Sequence, residues 1–376
     1  MRTVDAAGLK IGDEHPPRIM GVLNVSKESP YDPSVFDDPG EAAAYVDEEL
    51  IGEGADIVDV GLESANKKFE VLSAEGELER LETAIETLES TSGDAVWSIE
   101  TRYHEVAAAA LDAGFGMVND ICGFADPEMP AVCADYDVAV SKMASPPDLE
   151  RPGAIEDVDD IYDALARNGF TDKTIVDPAF GGWSEAKTID DDRETFDRLR
   201  EFRGYGRPIL VSINRKNFLR QIAGRDTAEA LPVSLAATSM AVERGAHVVR
   251  THDVAETRDA ALVGHEFTAD RTRTDNLEEL DVATDREFAR RADRLGADGG
   301  DRSVMTHAVE LRAGGLTDAL FEAAETAGVD VYRGDGALLV GTESAFRTLS
   351  ETLREDAPEL AADVRRLCSG FGGSDA

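Results

Sequence analysis

The sequence predicts an α/β protein, a (β/α)8 TIM barrel followed by a small C-terminal α+β domain. Three observations point there. Eight short apolar runs recur along the first two thirds of the chain, amphipathic stretches separate them, and each run ends on a polar or charged side chain. The runs are Arg18–Val25, Ala55–Gly61, Val96–Thr101, Met117–Asp120, Val138–Lys142, Thr174–Asp177, Ile209–Asn214 and His247–Asp253. They are rich in Val and Ile and too short for buried helices, so they read as parallel strands covered on both faces. Stretches such as Gly40–Ile51, Leu78–Glu89, His104–Ala113, Ile161–Asn168 and Arg193–Arg203 read as the helices between them. Strand then helix, eight times over about 255 residues, is the length and rhythm of that barrel. The barrel's ligand site forms at the C-terminal strand ends, which places Asn24, Asp59, Glu100, Asn119, Lys142, Asp177, Asn214, Arg250 and His252 at the mouth.

Residues before Pro17 read as a strand or hairpin closing the barrel bottom, and helix Glu256–Glu266 ends the eighth unit. The expected division is a barrel over 1–270, a polar linker over 271–284 and an accessory α+β domain over 285–376. In that last part we expect helix Asp285–Leu295, strand Met305–Leu311, helix Thr317–Ala327, strands Asp330–Arg333 and Ala337–Gly341, and helices Ser344–Arg354 and Pro358–Leu367. It holds no catalytic motif. Its one histidine, His307, lies in a strand pattern and reads as packing, and oligomerisation or support of a lid is the expected role of the domain.

The 376 residues carry 77 acidic and 38 basic side chains, a formal net charge of −39. Such a surface repels nucleic acid and anionic membranes. No segment approaches the roughly 18 uninterrupted apolar residues of a membrane span, and Met1–Lys10 lacks a signal-peptide pattern, so a cytoplasmic protein is expected. The three cysteines, Cys122, Cys133 and Cys368, form no CxxC pair, which argues against a disulfide framework and a zinc site. Acidic residues are spread over helix faces instead of gathered in a tail, a pattern suited to a cytosol of high salt. Only eight lysines accompany thirty arginines, and six of the eight, Lys27, Lys67, Lys68, Lys142, Lys187 and Lys216, fall at or just after a strand end. A ring of cations at one mouth of an acidic protein implies an anionic ligand, most simply phosphate or diphosphate.

The strand ends have complementary chemistry. Asn24 offers a neutral amide that can meet a hard cation or a phosphate oxygen. Glu100, Asn119 and Asp177 on different walls suit a flat heterocycle with N–H donors and ring acceptors, such as an aminopyrimidinone edge. The seventh run ends in Asn214-Arg215-Lys216, and the eighth places Arg250 and His252 on one face. The loops after strands seven and eight are the recurrent phosphate site of this fold.

In order and in strand position, MGVLNVS, GADIVDVG, SIET, ND, DPAFG, RKNF and GAHVVRTHDV resemble dihydropteroate synthase, archaeal members above all, over about Pro17–Thr257. The resemblance implies condensation of 6-hydroxymethyl-7,8-dihydropterin diphosphate with 4-aminobenzoate, releasing diphosphate, in folate synthesis. It further implies that Asn24 touches Mg²⁺ and the diphosphate, that Glu100, Asn119, Asp177 and Lys216 hold the pterin, and that Arg250 and His252 bind the diphosphate. Lys216, Arg250 and His252 are then the groups expected to act in catalysis. The partners expected are small molecules and a second copy of the chain, in a homodimer.

The chain departs from the family pattern at four places. Glu100 stands where the family usually has Asp. The loops Ser26–Asp32 and Glu63–Lys68 differ, the second having lost a Thr and an Arg, and DPAFG continues as Gly182-Trp-Ser-Glu185. The resemblance implies that these loops build the arylamine site, and Lys67 or Lys68 is expected to stand in for the lost arginine at the diphosphate. Two readings remain open from sequence: a synthase making a C–N bond, or a pterin-binding paralogue serving as a carrier, a regulatory partner or part of a methyl-transfer system. The charge pattern makes its own prediction. Seventy-seven acids repel one another most at low ionic strength. The melting temperature should therefore rise steeply between ~0.05 M and ~2 M KCl, as the Debye length falls from over 10 Å to a few Å. A flat or falling curve would exclude the halophilic reading.

Overall fold

Two short strands, β1 (Val4–Ala6) and β2 (Leu9–Ile11), pair antiparallel at the start of the chain. Both turn residues, Ala7 and Gly8, take positive φ, the mirror-image turn that matches the twist of a two-stranded ribbon. Asp5 Oδ1 accepts the Gly8 N–H at 2.6 Å. The structure is a computed structural model and describes residues 2–26, 34–63, 71–149, 152–153, 155–181, 187–269, 271–274, 277–297, 304–311, 318–334 and 336–371.

Among the described residues eight parallel strands follow: β3 (Arg18–Asn24), β4 (Ile57–Gly61), β5 (Val96–Thr101), β6 (Met117–Asp120), β7 (Ala139–Met143), β8 (Thr174–Asp177), β9 (Leu210–Val211) and β10 (Val248–Thr251). The ladder runs in sequence order from β3 to β8, β10 pairs with both β9 and β3, and a parallel bridge between Val176 and Ile209 closes the ring. The helices between are α1 (Pro39–Tyr45), α2 (Ala74–Ser90), α3 (His104–Asp112), α4 (Met129–Asp135), α5 (Val158–Ala166), α6 (Ile189–Asp197), α7 (Asn217–Ala223), α8 (Leu231–Glu243) and α9 (Val254–Glu266). The (β/α)8 barrel predicted from sequence is the one observed.

Strand side chains alternate between two faces, and that alternation divides the core. Outward residues such as Ile19, Val58, Ile99, Val118, Val140, Val176, Val211 and Val249 form one large cluster that includes apolar residues of the helices. Inward residues at the strand starts, Met20, Ile57, Met117, Ala139, Ile175, Leu210 and Val248, form a separate layer with Val4, Ala6 and Ile11 of the hairpin. The hairpin is therefore a plug, and its apolar contacts seal the end of the barrel opposite the mouth.

A buried polar cluster pins the chain just after that plug. His247 accepts the Ile209 N–H at Nδ1 (3.1 Å) and lies 3.0 Å from Asp13 through Nε2, so Nε2 carries the proton. Arg203 reaches the same carboxylate at 3.3 Å. Burial works against the Asp13 charge, but the His247 hydrogen bond and the Arg203 guanidinium hold its carboxyl far below the usual range.

Three elements differ from the sequence reading. The stretch expected as one helix over Arg193–Arg203 is α-helical only to Asp197 and tightens into a 3-10 helix over Leu199–Tyr205. The stretch expected as one helix over Gly40–Ile51 is α-helical only to Tyr45 and widens into π turns over Val46–Ile51, with Gly52 N bonding Asp47 O at 2.9 Å. Val46 and Leu50 both stay buried there. The seventh strand, expected over Ile209–Asn214, leaves the ladder after Val211. The cause is Arg215, held at φ 53° by a two-pronged bond to Asp253 (Nε 2.8 Å, Nη2 2.8 Å) and by its N–H on Ser234 Oγ.

The chain divides into two compact units, Met1–Asp270 and Arg271–Ala376. The second contains α10 (Asp285–Arg294), α11 (Asp318–Ala327), α12 (Glu343–Thr352) and α13 (Pro358–Phe371), with a three-stranded antiparallel sheet of β11 (Thr306–Leu311), β12 (Asp330–Arg333) and β13 (Ala337–Thr342) in the order β11-β13-β12. Leu320, Ala324, Leu339, Phe346 and Leu349 form its core. His307 lies in β11, as the strand pattern expects.

Candidate active site

The ladder register sets one row of inward residues across neighbouring strands: Asn24 faces Gly61, Gly61 faces Glu100, Glu100 faces Asn119, and Asn119 faces Ser141. Counting in twos from the apolar floor reaches the same residues, since Met20, Val22 and Asn24 share a face, as do Ile57, Asp59 and Gly61. The strand tops therefore carry a polar layer directly above an apolar one.

Arg250 crosses this layer from β10. Its Nε donates to Asp59 Oδ2 at 2.7 Å and its Nη2 to Glu100 Oε2 at 2.7 Å. Burial works against the guanidinium charge, but Glu100 and Asp59 more than offset it, so Arg250 stays protonated. Burial pushes the Glu100 carboxyl above its ordinary value despite Arg250, and Asp59 adds to the rise. Asp177 is raised to about 6, also by burial, with the Ala179 N–H (2.8 Å) and Lys216 pulling the other way.

Lys216 is the N-cap residue of α7, set in place by the Arg215 turn. Its stem runs over Gly181: a Cβ on Gly181, which has φ +93°, would lie 3.0 Å from Lys216 Cδ. The glycine of DPAFG thus makes room for the lysine, and burial together with Arg250 lowers the Lys216 pKa. A relay links the two remaining strand ends. Asn24 Nδ2 donates to Ser34 Oγ at 2.9 Å, and Ser34 Oγ lies 3.2 Å from His252 Nδ1. With the Ser34 hydroxyl as donor and Nδ1 as acceptor, the histidine carries its proton on Nε2, as a donor for an oxyanion. Burial and Arg250 lower the His252 pKa to about 3, so the ring is neutral at working pH.

The sequence reading is corrected at two lysines. Lys142 does not face the mouth. It shares its face with Asp120, its register partner, and its Nζ bonds the carbonyls of Arg167 and Gly169 (2.8 Å for the second) between the Phe124 and Phe170 rings. Lys187 is also buried, donating to Ala179 O at 2.9 Å and lying 3.4 Å from Asp192, so it braces the DPAFG turn. Lys27, Lys67, Lys68 and the altered segments 27–33, 64–70 and 182–186 lie outside the described residues. The other predicted groups, Asn24, Glu100, Asn119, Asp177, Asn214, Lys216, Arg250 and His252, belong to the strand ends of this one mouth. Sequence reasoning gave no role to Ser34 or Ser98, and it placed Asp59 at the mouth, where the structure sets it two positions below Gly61, beneath the row that faces the opening.

The family described as "Pterin binding enzyme" matches residues 20–252. The chain is 34% identical over 276 residues to a probable bifunctional folylpolyglutamate synthase/dihydropteroate synthase of Haloferax volcanii, covering 68% of this chain and 32% of that protein. It is 30% identical over 242 residues to the dihydropteroate synthase of Bacillus subtilis, covering 63% and 83%. The chain thus spans about a third of the length of the haloarchaeal relative. Among solved structures it resembles the Xanthomonas albilineans dihydropteroate synthase with 4-aminobenzoic acid, at 30% identity and a TM-score of 0.59, covering 71% of this chain and 98% of that one.

The Asp177 environment has a consequence for stability. Its folded pKa of about 6 lies above the ordinary aspartate value of 3.8, so between those values the native state binds more protons than the unfolded one. Ionising Asp177 therefore lowers stability as pH rises through this window, and the loss is complete above about pH 6. Asp177→Asn should raise the melting temperature by roughly 5 °C at pH 7.5, with the gain vanishing near pH 4. Thermal melts at the two pH values test this, and a variant less stable than wild type at pH 7.5 would contradict it.

Proposed function

This chain belongs to the pterin-binding enzyme family, and we propose that it is a dihydropteroate synthase, joining 6-hydroxymethyl-7,8-dihydropterin diphosphate to 4-aminobenzoate or a related arylamine and releasing diphosphate. The observation that carries this reading is the gathering of carboxylates, an amide and cations around Arg250 at one barrel mouth. A mere pterin carrier has no use for the diphosphate half of that set.

Asp177, ionised, accepts the paired N–H groups of the pterin's aminopyrimidinone edge. Glu100 and Asn119 meet the ring from the opposite wall, and Lys216 lies over it beside Gly181. Arg250 has Nε and Nη2 committed to carboxylates and turns Nη1 to the diphosphate, where His252 adds an N–H. The amine lone pair of the arylamine attacks the exocyclic CH2, the C–O bond to diphosphate breaks with its electron pair leaving on oxygen, and the amine proton passes to solvent. The arylamine is already a competent nucleophile, so the residues orient the reactants and stabilise the departing charge. Lys67 or Lys68 takes the place of the missing loop arginine at the diphosphate.

The donor set suits Mg²⁺. Asn24 Nδ2 is committed to Ser34, which leaves Oδ1 as a hard oxygen ligand, and Gly61 keeps that side open, since a Cβ there would sit 3.0 Å from Oδ1. A cation that retains much of its water and binds substrate phosphates needs few protein ligands. When bound, Mg²⁺ would neutralise charge on the leaving diphosphate.

We place the protein in the cytoplasm of a halophilic archaeon, a reading supported by the net charge of −39 and by the Haloferax relative. Among the described residues no helix is long and apolar enough to cross a membrane. The proposed division is a barrel over 1–270, a linker over 271–284 and an accessory domain over 285–376, which lies beyond the family match. We further propose a homodimer formed through α8 and α9. Gly264 packs against Ser239, setting the two helices side by side, and Met240 (46% exposed), Val263 (52%) and Phe267 (79%) lie on them or at their end.

Assayed in molar KCl with Mg²⁺, the protein should release diphosphate only when both substrates are present. Arg250→Ala and His252→Ala should raise KM for the pterin diphosphate about tenfold or more, and Asp177→Ala should abolish pterin binding in calorimetry. Pterin binding without diphosphate release would move the assignment to a carrier. Light scattering should give twice 40.4 kDa, falling toward the monomer in Phe267→Asp/Val263→Asp, and a monomeric wild type would exclude the dimer.

A further inference from the structure

Asp59 is fully buried, two positions below Gly61 on the inward face of β4. Its carboxylate gathers three donors. Oδ1 accepts from Ser98 Oγ at 2.7 Å, and Oδ2 accepts from Asn119 Nδ2 at 3.0 Å and from Arg250 Nε at 2.7 Å. Among the described residues no other side chain in the polar layer joins Asn119 and Arg250.

The bond to Asn119 settles an ambiguity. The two ends of an amide are nearly equal in shape and opposite in hydrogen-bonding sense. A carboxylate that already takes a guanidinium N–H only accepts, so the end of Asn119 turned toward Asp59 is its NH2. The carbonyl oxygen is therefore the end presented to the mouth. Beside it in the ladder is Ser141, fully buried and inward-facing, with an Oγ that has no hydrogen-bond partner among the described residues. A buried hydroxyl without a partner is costly in an otherwise satisfied layer, and one placed next to a fixed carbonyl points to a polar ring edge as the missing partner.

We propose that Asp59 is a positioning residue that fixes the Asn119 amide with its oxygen toward the bound heterocycle, so that the site selects a ring edge presenting an N–H at that point. The inference rests on the pterin reading above and deepens it. Asp59 touches no ligand and acts through Asn119. With the amide locked, a ring whose N–H is replaced by a bare ring nitrogen meets oxygen against a lone pair. With the amide able to turn, either ring is accepted at the cost of some affinity for the correct one. The specificity lies in the lock, since Asn119 alone can bond both.

The test is calorimetry in molar KCl with 6-hydroxymethyl-7,8-dihydropterin, which lacks the diphosphate and so leaves aside the role of Arg250 there. Wild type, Asp59→Asn, Asn119→Ala and the double variant are compared. Each single change should weaken binding about tenfold. The double variant should bind no more weakly than Asn119→Ala, because nothing remains to be positioned. Losses that multiply in the double variant, or an Asp59→Asn protein that binds like wild type, would overturn the proposal. If Asp59→Asn does not fold, wild type alone decides by comparing pterin isosteres with and without the edge N–H. Strong rejection of the one lacking it is expected, and equal binding overturns the lock. A wild type that binds no pterin at all would instead remove the functional reading on which the inference stands.

Discussion

The mouth of this barrel depends on one guanidinium held between two carboxylates. Arg250 spans from β10 to Asp59 on β4 and Glu100 on β5, with both bonds at 2.7 Å. Without it, two acids would face each other across a nearly dry space, and without them a buried cation would lack partners. Breaking one member of such a set is far more costly than the pair is worth in net terms. The polar layer is therefore kept as a unit: Ser98 and Asn119 satisfy the rest of Asp59, Asn119 presents its oxygen upward, and the position of Glu100 follows from that of Arg250.

This arrangement also bears on the substitution of Glu100 for the family's usual Asp. The longer side chain brings its carboxylate to Arg250, with Oε2 2.7 Å from Nη2. Lys216, by contrast, is delivered by a turn and not by a strand. Arg215 at positive φ ends the seventh strand early, and its bonds to Asp253 tie that turn to the end of the eighth.

Much of the fold was legible because the barrel writes itself as a repeat. Runs of Val and Ile at regular spacing reflect strands covered on both faces, and their polar ends reflect the mouth. The boundaries were weakest where tertiary bonds overrode local pattern, as at Arg215, where an apolar run continues but the ladder does not. Within the site, residue type and position along the strand were legible, while direction was overlooked. Lys142 looked like a mouth cation because it is charged and terminal, yet it shares the outward face of Val118 and Asp120. The neighbour that faces in, Ser141, drew no attention because a lone serine carries no chemical signal. Lys187 is different: only the folded loop shows that its charge is spent on Ala179 and Asp192. What sequence could not supply at all were the partners across the barrel, such as Asp59 with Arg250, 191 residues apart.

The contrast between an acidic surface and a few deep cations governs how fast an anion can arrive. A shell with a net charge of −39 repels a diphosphate at long range. Arg250 and Lys216 sit inside the barrel, and Arg250 is already balanced by two acids, so their attraction reaches only a short way beyond the mouth. In dilute salt an approaching anion would meet a barrier before it meets the cations of the mouth. At molar salt the Debye length shrinks to about 3 Å, which removes the barrier while leaving the close hydrogen bonds in place. Capture should then be quickened by salt, the reverse of ordinary electrostatic steering, where added ions slow association.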